Sequence, residues 1–222
     1  MKKLLICFLF LLCLTGCSTK PWEYTPEDKT QASILFNNTL NVKPLQDIRK
    51  KGSDFQASAL LAWIPIVPYS KVRVIDTPDN ATNLLEMDIE PELTQSLAEE
   101  LRNANVFKKV ITTDNSPQNS FMLTGNIKKF RLKKYWSFYG FAPLGVALWY
   151  LGLPAEKIYK DVIIDFTLTN NHNNIVFHKE YSAQDTYLMG LYYTGDDSEF
   201  EPLVKEIYLN LIKDLKILSL KN

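Results

Sequence analysis

Apolar positions along this chain recur at two spacings, and the changes from one to the other mark out elements. Over residues 32–45 the alternation of Ile34, Phe36, Leu40 and Val42 predicts a first strand, interrupted around Asn37 and Asn38 and ended by Pro44. Between 88 and 104 the spacing becomes three and four: Leu93, Leu97, Leu101 and Ala104 share one side, while Glu99, Glu100 and Arg102 take the other. Pro91 sits in the first turn, where its missing N–H has no helical partner to lose, so this segment is a helix. Residues 107–112 form a short strand. Residues 120–135 alternate through Phe121, Leu123, Gly125 and Ile127, then change parity to Phe130 and Leu132, which predicts a bulge near Lys128 and Lys129. Two more alternating runs, 161–169 and 175–183, flank the Asn-rich turn 170–174 as a β-hairpin. A loop rich in Tyr and Gly is expected over 184–195. Ser198 with Glu201 three residues later reads as a capping box, followed by Pro202 and by Leu203, Ile207, Leu211 and Leu215 along one face of a closing helix. The order β-α-β-β-β-β-α predicts an α+β domain: a mixed, mainly antiparallel β-sheet with two principal helices on one face.

Two insertions, at about 50–87 and 135–160, fit neither spacing. The first contains Trp63, Ile64, Ile66, Val67 and Tyr69; the second contains Trp136, Phe138, Tyr139, Phe141, Leu144, Trp149 and Tyr150. Prolines and glycines within them argue against long regular strands. Cations bracket both: Arg49, Lys50 and Lys51 before the first, Lys71 and Arg73 after it; Lys133 and Lys134 before the second, Lys157 and Lys160 after it. Three readings stand side by side. The stretches fold over the sheet as core, with the lysines discouraging edge pairing; they form an oligomer or partner interface; or they dip into the membrane with their aromatic rings at headgroup level. The twelve residues named are thus the expected membrane or partner contacts.

The amino terminus supplies an address. Lys2 and Lys3 precede an apolar run from Leu4 to Leu14 that is too short to span a bilayer but long enough for the core of a signal peptide. Leu14, Thr15, Gly16 and Cys17 resemble the lipobox of bacterial lipoproteins. That resemblance implies diacylglycerol on the Cys17 thiol, cleavage before it, and acylation of the new amine, so residues 1–16 are the signal peptide and 17–30 a lipidated tether. An ordinary secretory signal would leave one unpaired thiol at the start of the domain, because Cys7 and Cys13 are discarded with the signal and no cysteine follows Cys17. With about 0.8 kcal/mol per buried methylene, two or three acyl chains anchor stably. Ser18, rather than the aspartate that retains lipoproteins of enteric-type bacteria at the inner membrane, points to the inner leaflet of the outer membrane, facing the periplasm.

Charge and chemistry narrow the function by exclusion. Removing the signal takes two of the 25 Lys and Arg, leaving 23 against 25 Asp and Glu, a balance that speaks against a nucleic-acid partner. The full sequence is 46% hydrophobic and 12% aromatic, which supplies material for one core without disulfides, so 31–222 reads as a single periplasmic domain. His172 and His178 lack a third ligand at metal-site spacing. Asp196, Asp197, Glu199 and Glu201 do not fit a calcium loop and are favoured before a helix by its dipole. No nucleophile elbow, zinc-helix or phosphate-loop motif is present. The expectation is a non-enzyme with no cofactor beyond the covalent lipid.

Three stretches carry a wider resemblance: Val42 through Arg49 (strand, then Pro44, Leu45, Asp47, Arg49); Leu97 to Leu101 leading into Val106, Phe107 and Val110; and Leu123, Thr124, Gly125. They resemble periplasmic domains of curli-secretion-type lipoproteins, of the amino-terminal domain of Tol-type proteins and of related outer-membrane lipoproteins. The resemblance implies a non-catalytic structural or assembly role in an envelope complex such as a secretion system, flagellar ring or export machinery, as a homo-oligomer or within a multi-protein assembly. The alternative is an accessory lipoprotein of an envelope transport system that binds lipid or a small molecule. Asp47 and Arg49, alternate residues on an extended chain, are either a functional pair or the brace of a turn.

Overall fold

The alternating run that starts at Phe121 sets the frame of the molecule. The computed structural model describes residues 20–29, 34–49, 53–54, 69–75, 85–86, 88–113, 120–137, 145–192 and 200–220. Their strands are β1 (Lys20–Pro21), β2 (Phe36–Val42), β3 (Gln46–Asp47), β4 (Ser53–Asp54), β5 (Tyr69–Ile75), β6 (Leu85–Glu86), β7 (Phe107–Thr112), β8 (Phe121–Ser137), β9 (Glu156–Thr169) and β10 (Ile175–Met189). The helices are α1 (Ile89–Asn103), α2 (Gly145–Tyr150) and α3 (Glu201–Ser219).

One edge of β8 is antiparallel to β9 along almost its whole length, from Met122 opposite Thr169 to Trp136 opposite Glu156. Its other edge is divided among three short partners: β2 in parallel beside Phe121–Leu123, β3 in parallel beside Asn126 and Ile127, and β5 antiparallel from Leu132 to Ser137. β10 continues the sheet beyond β9, β7 lies parallel to the far side of β2, and β4 pairs with β5. Among the described residues this makes a mixed sheet of eight strands. The expected bulge is present, the β8–β9 register slipping between Ile127 and Lys129. The inserted residue restores inward parity, so Ile127 and Phe130 are both buried. Asn37 and Asn38 fall in a second slip, between Phe36 and Thr39.

Helices α1 and α3 cover one face. Leu93, Leu97 and Leu101 of α1 and Leu203, Ile207, Leu211 and Leu215 of α3 meet the inward residues Leu123, Ile127, Val162, Ile164 and Phe166 in one buried cluster. Each such side chain contributes about 1.5–3 kcal/mol when fully buried. Tyr208, fully buried, packs edge-on to Phe166 at 6.4 Å and donates its hydroxyl to the Leu93 carbonyl at 2.8 Å, tying α3 to α1.

Three expectations need correction. The hairpin is longer than the hydrophobic pattern indicated: Glu156–Lys160 belong to β9, and Gln184–Met189 belong to β10 rather than to a loop. The reason is Lys160, which occupies an inward position at 3% exposure and so hides the alternation; its ammonium lies over the rings of Tyr187 and Phe200 at 5.2 and 5.3 Å. The residue that opens the closing helix is not the one expected. The residue before α3 is Phe200, which makes no side-chain cap but sets its ring 4.4 Å from that of Phe130; Ser198 lies outside the described residues. Finally, residues 22–28, assigned by composition to the tether, are seated on α1 and α3. Trp22 donates to Ser96 Oγ at 3.2 Å, Tyr24 donates to Glu100 Oε2 at 2.6 Å, and Asn103 donates to the Glu27 carbonyl at 2.8 Å. From α3, Lys205 reaches the Thr25 carbonyl at 3.0 Å and the Glu27 carboxylate at 3.1 Å.

Candidate functional site

Two regions gather the residues that the sequence singled out. The first surrounds Pro44, where β2 stops and β3 resumes one register step out of phase with β8. Leu45, folded inward at the break, donates its N–H to Thr94 Oγ1 of α1 at 2.9 Å and presses against Gly125. A Cβ at 125 would stand 2.7 Å from Leu45 Cδ2 and 2.9 Å from the Asp165 carbonyl oxygen, which is why the position holds glycine. The Arg49 guanidinium grips the Asp47 carboxylate through both oxygens, Nε to Oδ1 and Nη2 to Oδ2 at 2.7 Å each, while Nη1 donates to the Phe130 carbonyl at 3.4 Å. Both side chains are buried. They brace the turn that brings β3 back to the sheet. The break leaves a cleft of about 580 Å³ lined by Lys43, Gln46, Glu90, Thr124 and Asn126 among others.

The second region is an arm. Phe200 at the start of α3 packs at the level of Phe130 and Lys160; beyond that level β5, β8, β9 and β10 continue side by side. Successive rungs read Lys133, Tyr159, Thr186, then Lys134, Ile158, Tyr187, then Tyr135, Lys157, Leu188, then Trp136, Glu156, Met189. β5 sets Lys71 beside Tyr135, Arg73 beside Lys134 and Tyr69 beside Ser137. Lysines and aromatic residues thus alternate across the strands, and the Lys133 ammonium lies 5.1 Å from the Tyr159 ring centre.

The tip closes through Ser137, whose N–H and hydroxyl both donate to the Ala155 carbonyl at 2.9 Å, and through Ala155, whose N–H donates to Met189 at 2.7 Å. Between them α2 ends in a turn at Gly152, with φ of +86°, a conformation that suits glycine. The chain after β10 returns to the same place, where the Tyr192 hydroxyl donates to the Tyr150 carbonyl at 2.8 Å. Here apolar side chains face solvent: Tyr150 is 65% exposed, Leu151 77%, Leu153 42%, Leu191 50% and Tyr192 65%.

Of the expected contact residues, Tyr69 and Trp136 are brought to adjacent rungs at the far end of the arm, and Trp149 and Tyr150 lie on α2 beyond them. Tyr150 is exposed, whereas Trp149 is half-buried with its indole N–H enclosed and without a partner. Trp63, Ile64, Ile66, Val67, Phe138, Tyr139, Phe141 and Leu144 lie outside the described residues, as do Cys17 and three of the acidic cluster, Asp196, Asp197 and Glu199. Leu151, Leu153, Leu191 and Tyr192 were not anticipated. The first two sit inside the second apolar stretch, so their neighbours pointed to them; the last two were hidden in what read as a loop.

On the helix-free face, Lys128 bridges Asp165 and Glu180 at 2.8 Å each, and Asn126 donates to Asp165 at 2.9 Å. Burial pushes the Asp165 carboxyl up, but the hydrogen bonds from Lys128 and Asn126 outweigh it and hold the group below its ordinary range. Asp214, with Lys179 and Tyr181 at 2.6 Å each, is lowered in the same manner against its own burial. His178 shares a hydrogen bond with Thr167 at 2.9 Å and His172 lies in the hairpin turn. Among the described residues no group of three ligand-type side chains is arranged to hold a metal. None of their helices is long and apolar enough to cross a membrane.

No family model matches the chain, and no curated protein matches it. Among solved structures it is similar to a Xanthomonas campestris protein of family DUF330, at 10% identity over 91% of this chain and 98% of that one, with a TM-score of 0.49. It is also similar to lipoprotein GNA1162 of Neisseria meningitidis (9% identity, 81% and 99% coverage, TM-score 0.37) and to a minor lipoprotein of Acinetobacter baumannii (9%, 61% and 88%, 0.33).

Proposed function

We propose that this chain is a non-catalytic outer-membrane lipoprotein, anchored through acylated Cys17 in the inner leaflet and facing the periplasm, that serves as a structural component of an envelope complex such as a secretion, flagellar-ring or export machine. The observation that carries this reading is the seating of residues 22–28 on α1 and α3. It leaves only four residues between Cys17 and Trp22, five Cα–Cα steps and at most about 18 Å of extended chain. A domain held that closely keeps one orientation toward its membrane, which suits a fixed part of an assembly better than a diffusing carrier.

The test is made on the full chain expressed in a Gram-negative host. Incorporation of a palmitate analogue at Cys17, co-fractionation with the outer membrane, and migration in mild detergent as a species larger than one copy are expected. A chain that is unacylated, or that is acylated but monomeric in detergent and makes no crosslinks in cells, would refute the assignment.

A further inference from the structure

The arm and the start of the described chain point the same way. α1 begins beside β3, where the Asp47 N–H meets Glu90 at 2.8 Å, and it ends beside the start of β7. It therefore runs opposite to β2, β7 and β8. Residues 22–27 follow α1 from Ser96 toward Asn103, so the chain traced backward through β1, which pairs with β6 just ahead of α1, leaves in the direction in which β8 runs toward its tip. The start of the described chain at Lys20 and the apolar tip therefore lie toward the same side of the domain.

Along the arm the residue types are layered. Lys71, Arg73, Lys133, Lys134 and Lys157 occupy neighbouring rungs, and the carboxylates on the rungs of Lys133 to Trp136 are Glu156 and, beyond Val74 on the Lys133 rung, Asp54. Tyr135, Trp136, Tyr159 and Tyr69 stand among and beyond the cations, and Leu151, Leu153 and Leu191 lie beyond those. From Lys133 to Ser137 is four residues, about 13 Å of strand, the scale over which an interfacial segment passes from headgroup to acyl boundary. Cations interleaved with aromatic residues, then Trp136 and Tyr69 on rungs without cations, then aliphatic side chains at the tip, is an order that suits an anionic bilayer surface.

We infer that the arm tip inserts into the anionic surface of the bilayer that holds the anchor, Tyr150 to Leu153 and Leu191 to Tyr192 entering the interface while the lysine rungs bind lipid phosphate. The inference rests on the lipid-anchored reading for the membrane within reach, and not on which envelope complex is involved.

With Cys7 and Cys13 in the signal and Cys17 acylated, a cysteine introduced elsewhere is the single free thiol of the mature chain. Leu151→Cys at the tip and Ile175→Cys at the opposite end of the sheet, both at exposed positions, are labelled with the environment-sensitive dye NBD in the full lipidated protein. The protein is then reconstituted in phosphatidylethanolamine and phosphatidylglycerol vesicles. The expected result is a blue-shifted emission at position 151, quenched at least twofold by doxyl-labelled lipid, with a water-like emission at 175. The shift at 151 should weaken in pure phosphatidylcholine vesicles and in a Lys134→Gln, Lys157→Gln background. A water-like emission at 151 would overturn the inference. So would shielding at 151 that is insensitive to doxyl lipid and accompanied by energy transfer between labelled copies, which would identify a second copy as the occupant. Mass analysis of the peptide containing Cys17 in the same preparation reports failure of the anchor reading separately.

Discussion

Replacing Gly125 with alanine tests whether the break at Pro44 is held by close packing. The added Cβ would stand 2.7 Å from Leu45 Cδ2, 2.9 Å from Phe166 Cδ1 and 2.9 Å from the Asp165 carbonyl oxygen, against an ordinary carbon contact of about 3.5–4.0 Å. Leu45 and Phe166 are buried and have little room to turn, and the carbonyl belongs to the β8–β9 ladder, so relief requires separating the two central strands. Overpacking of this kind costs about 1–3 kcal/mol. Alanine returns about 0.4–1 kcal/mol by restricting the unfolded chain, which leaves a net loss of about 1–2 kcal/mol. At about 2–4 °C per kcal/mol for a domain of this size, Tm should fall by about 2–8 °C. Urea unfolding followed by circular dichroism should show a lower midpoint at unchanged slope. Adding Leu45→Ala to Gly125→Ala removes the shortest contact, so the double variant should lose less than the sum of the two single changes. A Gly125→Ala midpoint at or above that of the parent would refute the packing argument.

Other changes address separate parts of the structure. Asp47→Ala strands the buried Arg49 guanidinium and should cost about 3–5 kcal/mol in urea unfolding, most of it recovered when Arg49→Met is added, because the lone charge and not the lost contact carries the penalty. Tyr24→Phe removes the hydroxyl that donates to fully buried Glu100 and should cost about 1–3 kcal/mol, read as faster amide exchange at Glu27, whose N–H shares that carboxylate. Acid should weaken the fold through Asp165 and Asp214. Their folded pKa values lie below the ordinary range, so their contribution is complete above the unfolded value of about 4 and fades as pH falls through the folded values. Between pH 7 and pH 3, Asp165→Asn should therefore lose less of its urea midpoint than the parent.

Local patterns were legible wherever a side chain's type matched its burial. The α1 stripe of Leu93, Leu97 and Leu101, the Phe107–Thr112 strand and the parity change at Lys128 all appear where expected. Misreading began where chemistry and burial part company. Lys160 is buried because two aromatic rings receive its ammonium, and no periodicity scale anticipates a lysine facing inward. Phe200 starts α3 by packing on Phe130, a contact between residues seventy positions apart that no local pattern signals. The same holds for Trp22 and Tyr24, whose polar surroundings in sequence gave no sign that Ser96 and Glu100 would receive them. The Asp47–Arg49 pair was visible as a pair; its bracing role became evident only with the Phe130 carbonyl in place.

The seated amino-terminal segment also has a mechanical consequence. Under the proposed anchoring, tension would reach the domain through residues 22–27, which lie lengthwise along α1 and are pinned at Ser96, Glu100, Asn103 and Lys205. Pulled along its own axis, such a segment is sheared, so its bonds share the strain and must yield together; pulled crosswise it would peel one bond at a time. The direction in which the chain leaves α1 selects the shearing geometry. Force entering by this segment would pass into the helix layer before it reaches β2, so the sheet would be spared until this clasp opens.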